Sequence, residues 1–136
     1  FGLGCIALIY GIGKFAYNKT TGFIASVLLA FSPWHLVLSR SFLIDVPCLF
    51  FSLLSLFVGL IAVRRGSIRL FVVSGIVFAA AFNTKLYAVF ILIPLLAFFF
   101  YNNPKNLKRI VTWLATFSFP ALLSSYLWYQ TITGLG

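Results

Sequence analysis

Among three charged side chains, Arg40, Asp45 and Lys85, the two cations have the types needed to hold an anion. The first two lie in the stretch SRSFLIDVP, residues 39–47, and Asp45 is the only acidic residue among the 136. Arginine can grip a phosphate with two parallel hydrogen bonds, and lysine can hold it as a point charge. If that phosphate is a leaving group, the same cations stabilise the charge that develops as its bond breaks. The question is whether the chain brings the three residues to one place.

The composition predicts an integral membrane protein. Hydrophobic residues make up 62% of the chain, charged residues 8%, and the mean hydropathy is +1.12, whereas an ordinary soluble domain has about 25% charged residues. Uncharged stretches approach the ~20 residues that cross a bilayer, and they cover residues 20–39, 46–63, 70–84, 86–104 and 110–136. A soluble core is therefore excluded.

The basic residues indicate how the chain is threaded through the membrane. A net charge of +9 would suggest nucleic acid as the partner of a soluble protein, but here the cations cluster between apolar runs, as cytoplasmic loops do. We therefore expect no nucleic acid partner. The predicted cytoplasmic clusters are Lys14 with Lys19, then Arg64, Arg65 and Arg69, and then Lys105, Lys108 and Arg109. Arg40 and Lys85 are the two cations that remain for the opposite face.

The placement of Lys85 depends on whether residues 70–100 form one long helix or a hairpin. One helix would be about 46 Å long against a hydrocarbon core of about 30 Å. It would also leave Lys85 near the middle of the bilayer, where a charge costs at least ~2.5 kcal/mol. A turn at Asn83 and Thr84, whose side chains can bond freed backbone groups, avoids both problems. The sequence thus predicts a hairpin with Lys85 at its outer tip.

The fold class predicted is all-α, a polytopic transmembrane helical bundle in a single domain over residues 1–136. Its six membrane segments are residues 1–13, 20–38, 47–63, 69–84, 86–101 and 110–129, directed alternately inward and outward. Pro33 is expected as a tolerated kink within the second segment. Because the chain starts without Met and ends without a polar tail, we expect a fragment of a longer membrane region. Arg40, Asp45 and Lys85 then share the extracytoplasmic face.

Each member of this trio has a simpler explanation when taken alone. Asp45 could cap the helix that follows it, Arg40 could extend toward lipid phosphate, and Lys85 could be a solvated turn residue. His35, which precedes Arg40 by about one turn, is expected only to face the interface. The combination favours a site, because charges near membrane segments tend to be paired or to mark a substrate path.

Three smaller patterns are interpreted as structural. Cys5 and Cys48 lie in separate apolar segments without metal-ligand spacing, so two buried thiols are expected rather than a disulfide or metal site. GIGKFA, residues 11–16, matches a dinucleotide-binding pattern, but a strand and a later acidic residue are missing. Gly75 and Ala79 form a small-xxx-small pair suited to helix packing.

At the level of family, two stretches resemble the polytopic GT-C glycosyltransferases that use polyprenyl-phosphate sugars. The stretches are LLAFSPWHLVLSRSFLIDVPCLFFSLLSLF and GIVFAAAFNTKLYAVFILIPLL, which together with their surroundings cover most of the chain. Within that class they are similar to the group of protein O-mannosyltransferases, aminoarabinose transferases and rhizobial lipopolysaccharide sugar transferases. The residues that carry the resemblance are Ser32 and Pro33 at a helix end, Arg40, Asp45 with Pro47, and Thr84 with Lys85.

The resemblance implies a membrane enzyme that moves a sugar from a dolichyl- or undecaprenyl-phosphate donor to a protein, lipid or glycan acceptor. The reaction would take place on the extracytoplasmic face of the plasma membrane, or of the endoplasmic reticulum in a eukaryote. Arg40 and Lys85 are expected to hold the donor phosphate or to order the cavity. Asp45 is expected to orient these cations, to bind a divalent metal or to contact substrate.

The resemblance also implies that the principal catalytic acid lies in a first outer loop, ahead of this chain. We therefore expect no catalytic residue among residues 1–136, unless Asp45 takes a role that the family pattern does not give it, and no activity from this segment alone.

Two other functions fit parts of the pattern. In a transporter or channel, the outer charges would form an anion-binding site on an ion route, but polar residues at mid-bilayer and paired broken helices are not evident. A noncatalytic subunit would explain the small-residue faces and leave the outer charges unexplained.

Overall fold

A computed structural model of the chain describes residues 1–40, 44–102 and 107–134, which form helices and contain no strand. The elements are α1 (Gly2–Ala16), α2 (Lys19–Ala30), α3 (Pro33–Arg40), α4 (Asp45–Arg65), α5 (Ile68–Thr84), a 3-10 helix (Leu86–Ile91), α6 (Leu92–Asn102) and α7 (Leu107–Thr133). The predicted all-α class is confirmed.

The second predicted segment is broken rather than kinked, so the expectation of a tolerated kink at Pro33 was wrong, whereas the helix end expected at Ser32 and Pro33 is present. The helix α2 ends at Ala30, and Pro33 is the first residue of α3. Proline lacks an N–H and clashes with the preceding turn, so it is suited to the first turn of a helix. Ser32 lies ahead of it, and its Oγ accepts the N–H of His35 over 3.5 Å. The polar residue and the proline together restart the helix.

Among the described residues, α4 is the helix that is both long and apolar enough to cross a membrane. It has 21 residues with a mean hydropathy of 2.5 over its most apolar stretch. Shorter apolar helices cover Gly2–Ala16, Lys19–Ala30, Ile68–Thr84 and Ala88–Asn102. That all six predicted segments cross the bilayer stays a prediction.

The helices α1 and α4 run side by side in the same direction. The ring of Phe1, at the start of α1, lies 5.3 Å from that of Phe50, near the start of α4. Toward the other end, the rings of Phe15 and Phe57 are 6.2 Å apart.

The helices α5 and α6 form the predicted hairpin against α4. Ser74 of α5 bonds Ser55 of α4, and α5 ends beside the start of α4, so the two helices are antiparallel. The chain then reverses into α6. The reversal is shown by Leu95 of α6, which lies beside Gly59 in the later part of α4: a Cβ on Gly59 would lie 2.8 Å from a methyl of Leu95. The hairpin interpretation of residues 70–100 is confirmed.

These directions separate the charges between two ends of the bundle. Asp45 and Lys85 lie at one end, which we call the Asp45 end. The described cations at the other, which we call the basic end, are Lys14, Lys19, Arg64, Arg65 and Arg69. This is the separation that the positive-inside tendency predicts.

Small residues allow close helix contacts. A Cβ on Gly13 would lie 2.6 Å from the Cα of Gly22, so the second glycine of GIGKFA serves packing between α1 and α2. A Cβ on Gly75 would lie 2.7 Å from the carbonyl oxygen of Phe117 in α7, which confirms the packing role predicted for Gly75.

Buried polar groups in the interior are satisfied by each other. Ser55 Oγ donates to the Ser74 carbonyl over 2.9 Å, and Ser74 Oγ donates to the Ser55 carbonyl over 2.7 Å. Cys5 and Cys48 are both buried free thiols, as predicted. The α4–α5 contact therefore contains a reciprocal hydrogen-bonded serine pair within apolar surroundings.

Candidate functional site

Asp45 and Lys85, forty positions apart in sequence, form an ion pair between Oδ1 and Nζ. Asp45 is the first residue of α4, and Ile44 occupies the capping position. The alternative that Asp45 itself is the N-cap is therefore wrong. A carboxylate in the first turn is nonetheless favoured by the helix dipole, so α4 stabilises the charge that meets Lys85.

Lys85 is positioned by the end of α5. Its backbone is extended at φ −154° and ψ 137°, which ends the helix and turns the chain toward the 3-10 helix. Thr84 Oγ1 donates to the carbonyl of Ala80 over 2.7 Å. Asn83 Nδ2 instead donates to Ser124 Oγ of α7 over 2.8 Å. Thr84 thus bonds the backbone as predicted, while Asn83 ties the tip of the hairpin to α7.

The ion pair is neither buried nor fully solvated. The side chain of Lys85 is 36% exposed and that of Asp45 is 26% exposed. A ligand arriving at this end of the bundle can therefore reach both groups. The partial burial also keeps the pair from being fully screened by water.

Arg40 is the last residue of α3, and its side chain lies outside the described residues. Residues 41–43 also lie outside them, and α3 packs against α4. Because five residues of extended chain span at most about 18 Å, the backbone of Arg40 is held within that distance of Asp45. The predicted contact of the guanidinium with the other two charges stays a prediction.

An apolar groove of about 530 Å³ opens beside Asp45. Its walls come from α3, α4, the 3-10 helix and α6, through Trp34, Asp45, Leu49, Ser52, Ala88, Phe90, Ile91 and Pro94. Asp45 is the charged member of these walls, so the groove has an ionic mouth and an apolar interior.

A second apolar groove, of about 490 Å³, continues toward the basic end. It is lined by Ile12, Ala16, Tyr17, Leu56, Leu60, Pro94, Ala97, Phe98 and Tyr101. Pro94 belongs to the walls of both grooves, and the lining positions on α4 are 45, 49, 52, 56 and 60. Steps of three and four place these residues on one face of a helix, over a length of about 22 Å. We call the two together the α4–α6 groove.

The sequence interpretation missed the residues of this groove. The steps of three and four along α4 were visible, but almost every residue of α4 is apolar, so the spacing did not single out one face. His35 was also misjudged: it was expected to face the interface, yet it is buried at 7% exposure.

Within the described residues, no group of three His, Cys, Asp or Glu side chains converges to hold a metal ion. Asp45 is the one acidic residue of the chain, and its Oδ1 is bonded to Lys85. Asp45 could supply one carboxylate to a divalent cation.

Comparison with known proteins gives a direct answer on family. The family model described as dolichyl-phosphate-mannose-protein mannosyltransferase matches residues 1–129. The chain belongs to this family. Its members are integral membrane proteins, and the membership confirms the resemblance to the protein O-mannosyltransferase group.

One curated relative is the Bacillus subtilis (strain 168) protein named "Putative mannosyltransferase YkcB", which is 28% identical over 125 residues. The match covers 90% of this chain and 18% of the relative. The chain thus spans less than a fifth of the length of that protein. No solved structure matches the chain.

Proposed function

We propose that this chain is part of a membrane glycosyltransferase that takes its sugar from a polyprenyl-phosphate donor, dolichyl or undecaprenyl. The observation that carries the proposal is the partly exposed Asp45–Lys85 ion pair at the mouth of the α4–α6 groove. A prenyl-phosphate has the matching chemistry, an anionic head joined to a long apolar tail. Membership of the mannosyltransferase family supports the same reading.

In this proposal the donor phosphate lies at the Asp45 end, where Lys85 and Arg40 neutralise it. The prenyl tail follows the apolar wall of α4 past Leu49 and Leu56 toward mid-membrane. Asp45 holds Lys85 in place until the phosphate arrives, and the lysine then shares its charge between the two anions. Placement at the boundary between lipid and water suits a donor whose two halves need different surroundings.

The reaction proposed is attack by an acceptor hydroxyl on the anomeric carbon of the donor sugar. The bond between that carbon and the phosphate oxygen breaks, and the polyprenyl phosphate leaves with the electron pair. Lys85 and Arg40 stabilise the negative charge that grows on the phosphate as the bond lengthens. The hydroxyl proton goes to a base outside this chain, because its one carboxylate is engaged with Lys85.

The acceptor is a protein, a lipid or a glycan on the extracytoplasmic face of the plasma membrane or the endoplasmic reticulum. If a divalent metal takes part, Asp45 would supply a carboxylate ligand to it, and the metal would add positive charge near the donor phosphate. Family membership favours transfer over transport, the other function that the sequence suggested.

The test is sugar transfer by the full-length enzyme carrying Arg40→Ala or Lys85→Ala. We expect the turnover number to fall about a hundredfold or more in each variant, the loss typical when one group that stabilises transition-state charge is removed. Yield and thermal unfolding of the purified protein should change little. Both would be measured in the same detergent or nanodisc preparation, with a polyprenyl-phosphate sugar as donor.

The matched controls are Lys19→Ala and Arg65→Ala, which remove one exposed cation each from the basic end. These should keep near-normal turnover. Near-normal turnover in both Arg40→Ala and Lys85→Ala would overturn the assignment of these residues to the donor phosphate.

A further inference from the structure

A third groove, of about 400 Å³, lies between α1 and α4 at the basic end and is separate from the proposed donor site. Its walls are Tyr10, Gly11, Lys14, Phe15, Phe57 and Arg64. Its volume falls within the roughly 300–1,000 Å³ that ligand pockets usually have. Two cations and three aromatic rings therefore surround one opening.

The two cations are held in place by aromatic rings. The guanidinium of Arg64 lies 4.4 Å from the ring centre of Phe15 in α1 and 5.8 Å from that of Phe98 in α6. The ammonium of Lys14 lies 5.8 Å from the ring centre of Tyr10. Cation–π contacts of this kind keep a charge near a groove without neutralising it.

The basic end carries a net positive charge that no acidic side chain of the sequence offsets. The described cations there are Lys14, Lys19, Arg64, Arg65 and Arg69, and the one acidic residue of the sequence, Asp45, lies at the opposite end. An anionic partner is therefore favoured, and one with an apolar part suits the rings of Tyr10, Phe15 and Phe57 in the groove wall.

We propose that the groove between α1 and α4 binds an anionic phospholipid of the surrounding membrane. Lys14 and Arg64 bind the headgroup phosphate, and the upper part of one acyl chain lies against Gly11 and Phe57. Gly11 and Phe57 pack together in this wall, since a Cβ on residue 11 would lie 3.3 Å from the Phe57 ring. Basic pockets between membrane helices on the positively charged side are suited to such headgroups.

The wild-type experiment uses full-length protein solubilised in a neutral detergent and analysed by native mass spectrometry. Dioleoyl phosphatidylglycerol, dioleoyl phosphatidylcholine or inorganic phosphate is added at equal concentration. We expect one equivalent of phosphatidylglycerol to be retained, and neither of the other two. Equal retention of phosphatidylcholine, displacement of the lipid by inorganic phosphate, or no retention at all would overturn the proposal.

The variant experiment compares two double substitutions that remove the same charge from the same end. Lys14→Gln with Arg64→Gln changes the groove, while Lys19→Gln with Arg65→Gln changes cations that do not line it. We expect the groove variant to retain phosphatidylglycerol roughly thirtyfold more weakly, the loss that two cations at an anionic membrane surface would produce. The control should bind as wild type does. An equal loss of phosphatidylglycerol binding in both variants would show that the lipid is attracted by the overall charge of this end, and it would overturn the proposal. If the groove variant fails to fold, the comparison of lipids on the wild-type protein is the deciding test.

Discussion

Lys85 carries a positive charge at the end of the molecule where the positive-inside tendency disfavours cations. The ion pair with Asp45 offsets that cost, and the extended backbone after α5 lets the side chain reach across to α4. From sequence, the two residues could be assigned to the same face, because the charge clusters decide which loops lie together. Their direct contact could not be predicted, since it depends on how α4 and α5 are rotated against each other.

At this pair, stability and transfer should respond differently to substitution. Because both side chains are partly exposed, we expect Asp45→Asn and Lys85→Gln to be coupled by no more than about 1 kcal/mol in the free energy of unfolding. If Asp45 orients Lys85 for the donor phosphate, the same double-mutant cycle measured on turnover should show a larger coupling. Thermal unfolding and transfer assays on the two single variants and the double variant would give both values.

A coupling in unfolding that equals or exceeds the coupling in turnover would contradict the positioning role of Asp45. The pair would then serve the contact between α4 and α5, and Lys85 would need no carboxylate to act on a phosphate.

Helix boundaries in this chain follow from two kinds of sequence signal: the ends of apolar runs, which are easy to recognise, and breaks within a run, which are not. Runs of apolar residues ending in cations predict most helix boundaries, as for α4 between Asp45 and Arg65. Breaks within a run are harder to predict, because proline is tolerated inside membrane helices when neighbours satisfy the freed groups. Pro120 lies within α7, whereas Pro33, preceded by Ser32, begins a new helix.

The contact of α5 with α7 depends on Gly75. We expect Gly75→Ala to destabilise the protein by about 1–3 kcal/mol, the usual effect of overpacking, because the added methyl would press on the Phe117 carbonyl. The midpoint of unfolding in a detergent or denaturant titration would measure the loss.

Ala80→Val is the matched control on the same helix, since Ala80 is exposed and its added methyls would face away from the bundle. It should unfold close to wild type. An unchanged midpoint for Gly75→Ala would mean that α7 can move away from α5 without loss.

The bundle is polarised, with five described cations near helix termini at the basic end and the Asp45–Lys85 pair at the other end. This distribution was predictable from the sequence, because only the order of apolar runs and charges is needed to derive it. The α4–α6 groove was not, since it depends on which face of α4 the returning helix α6 leaves uncovered. Most of its lining residues are as apolar as their neighbours, so the sequence does not distinguish them from other residues of the same helices.

Labelling of introduced cysteines would test the orientation of this polarised bundle. We expect Leu86→Cys, beside Lys85, to react with a membrane-impermeant maleimide on intact cells, and Arg65→Cys to react only after permeabilisation. Leu86 is 73% exposed, and Arg65 is exposed at the basic end. Cys5 and Cys48 are both at 0% exposure, so these two native thiols should give little background, and the unsubstituted protein is labelled in parallel as the reference.

The reverse labelling pattern would place the Asp45 end in the cytoplasm. The proposal of an extracytoplasmic transfer site would then be wrong, whereas membership of the family would be unaffected.

The reciprocal hydrogen bonds between Ser55 and Ser74 oppose sliding of α5 along α4. Apolar side chains in lipid gain little from one axial alignment over another, because the lipid tails are equally apolar. If α5 slipped by one turn along α4, about 5.4 Å, both hydroxyls would lose their partners, and Lys85 would move away from Asp45 by the same distance. The hydrogen bonds of these two buried hydroxyls therefore fix the axial alignment of α4 and α5. The same alignment keeps Lys85 in contact with Asp45, about 15 Å farther along the helices.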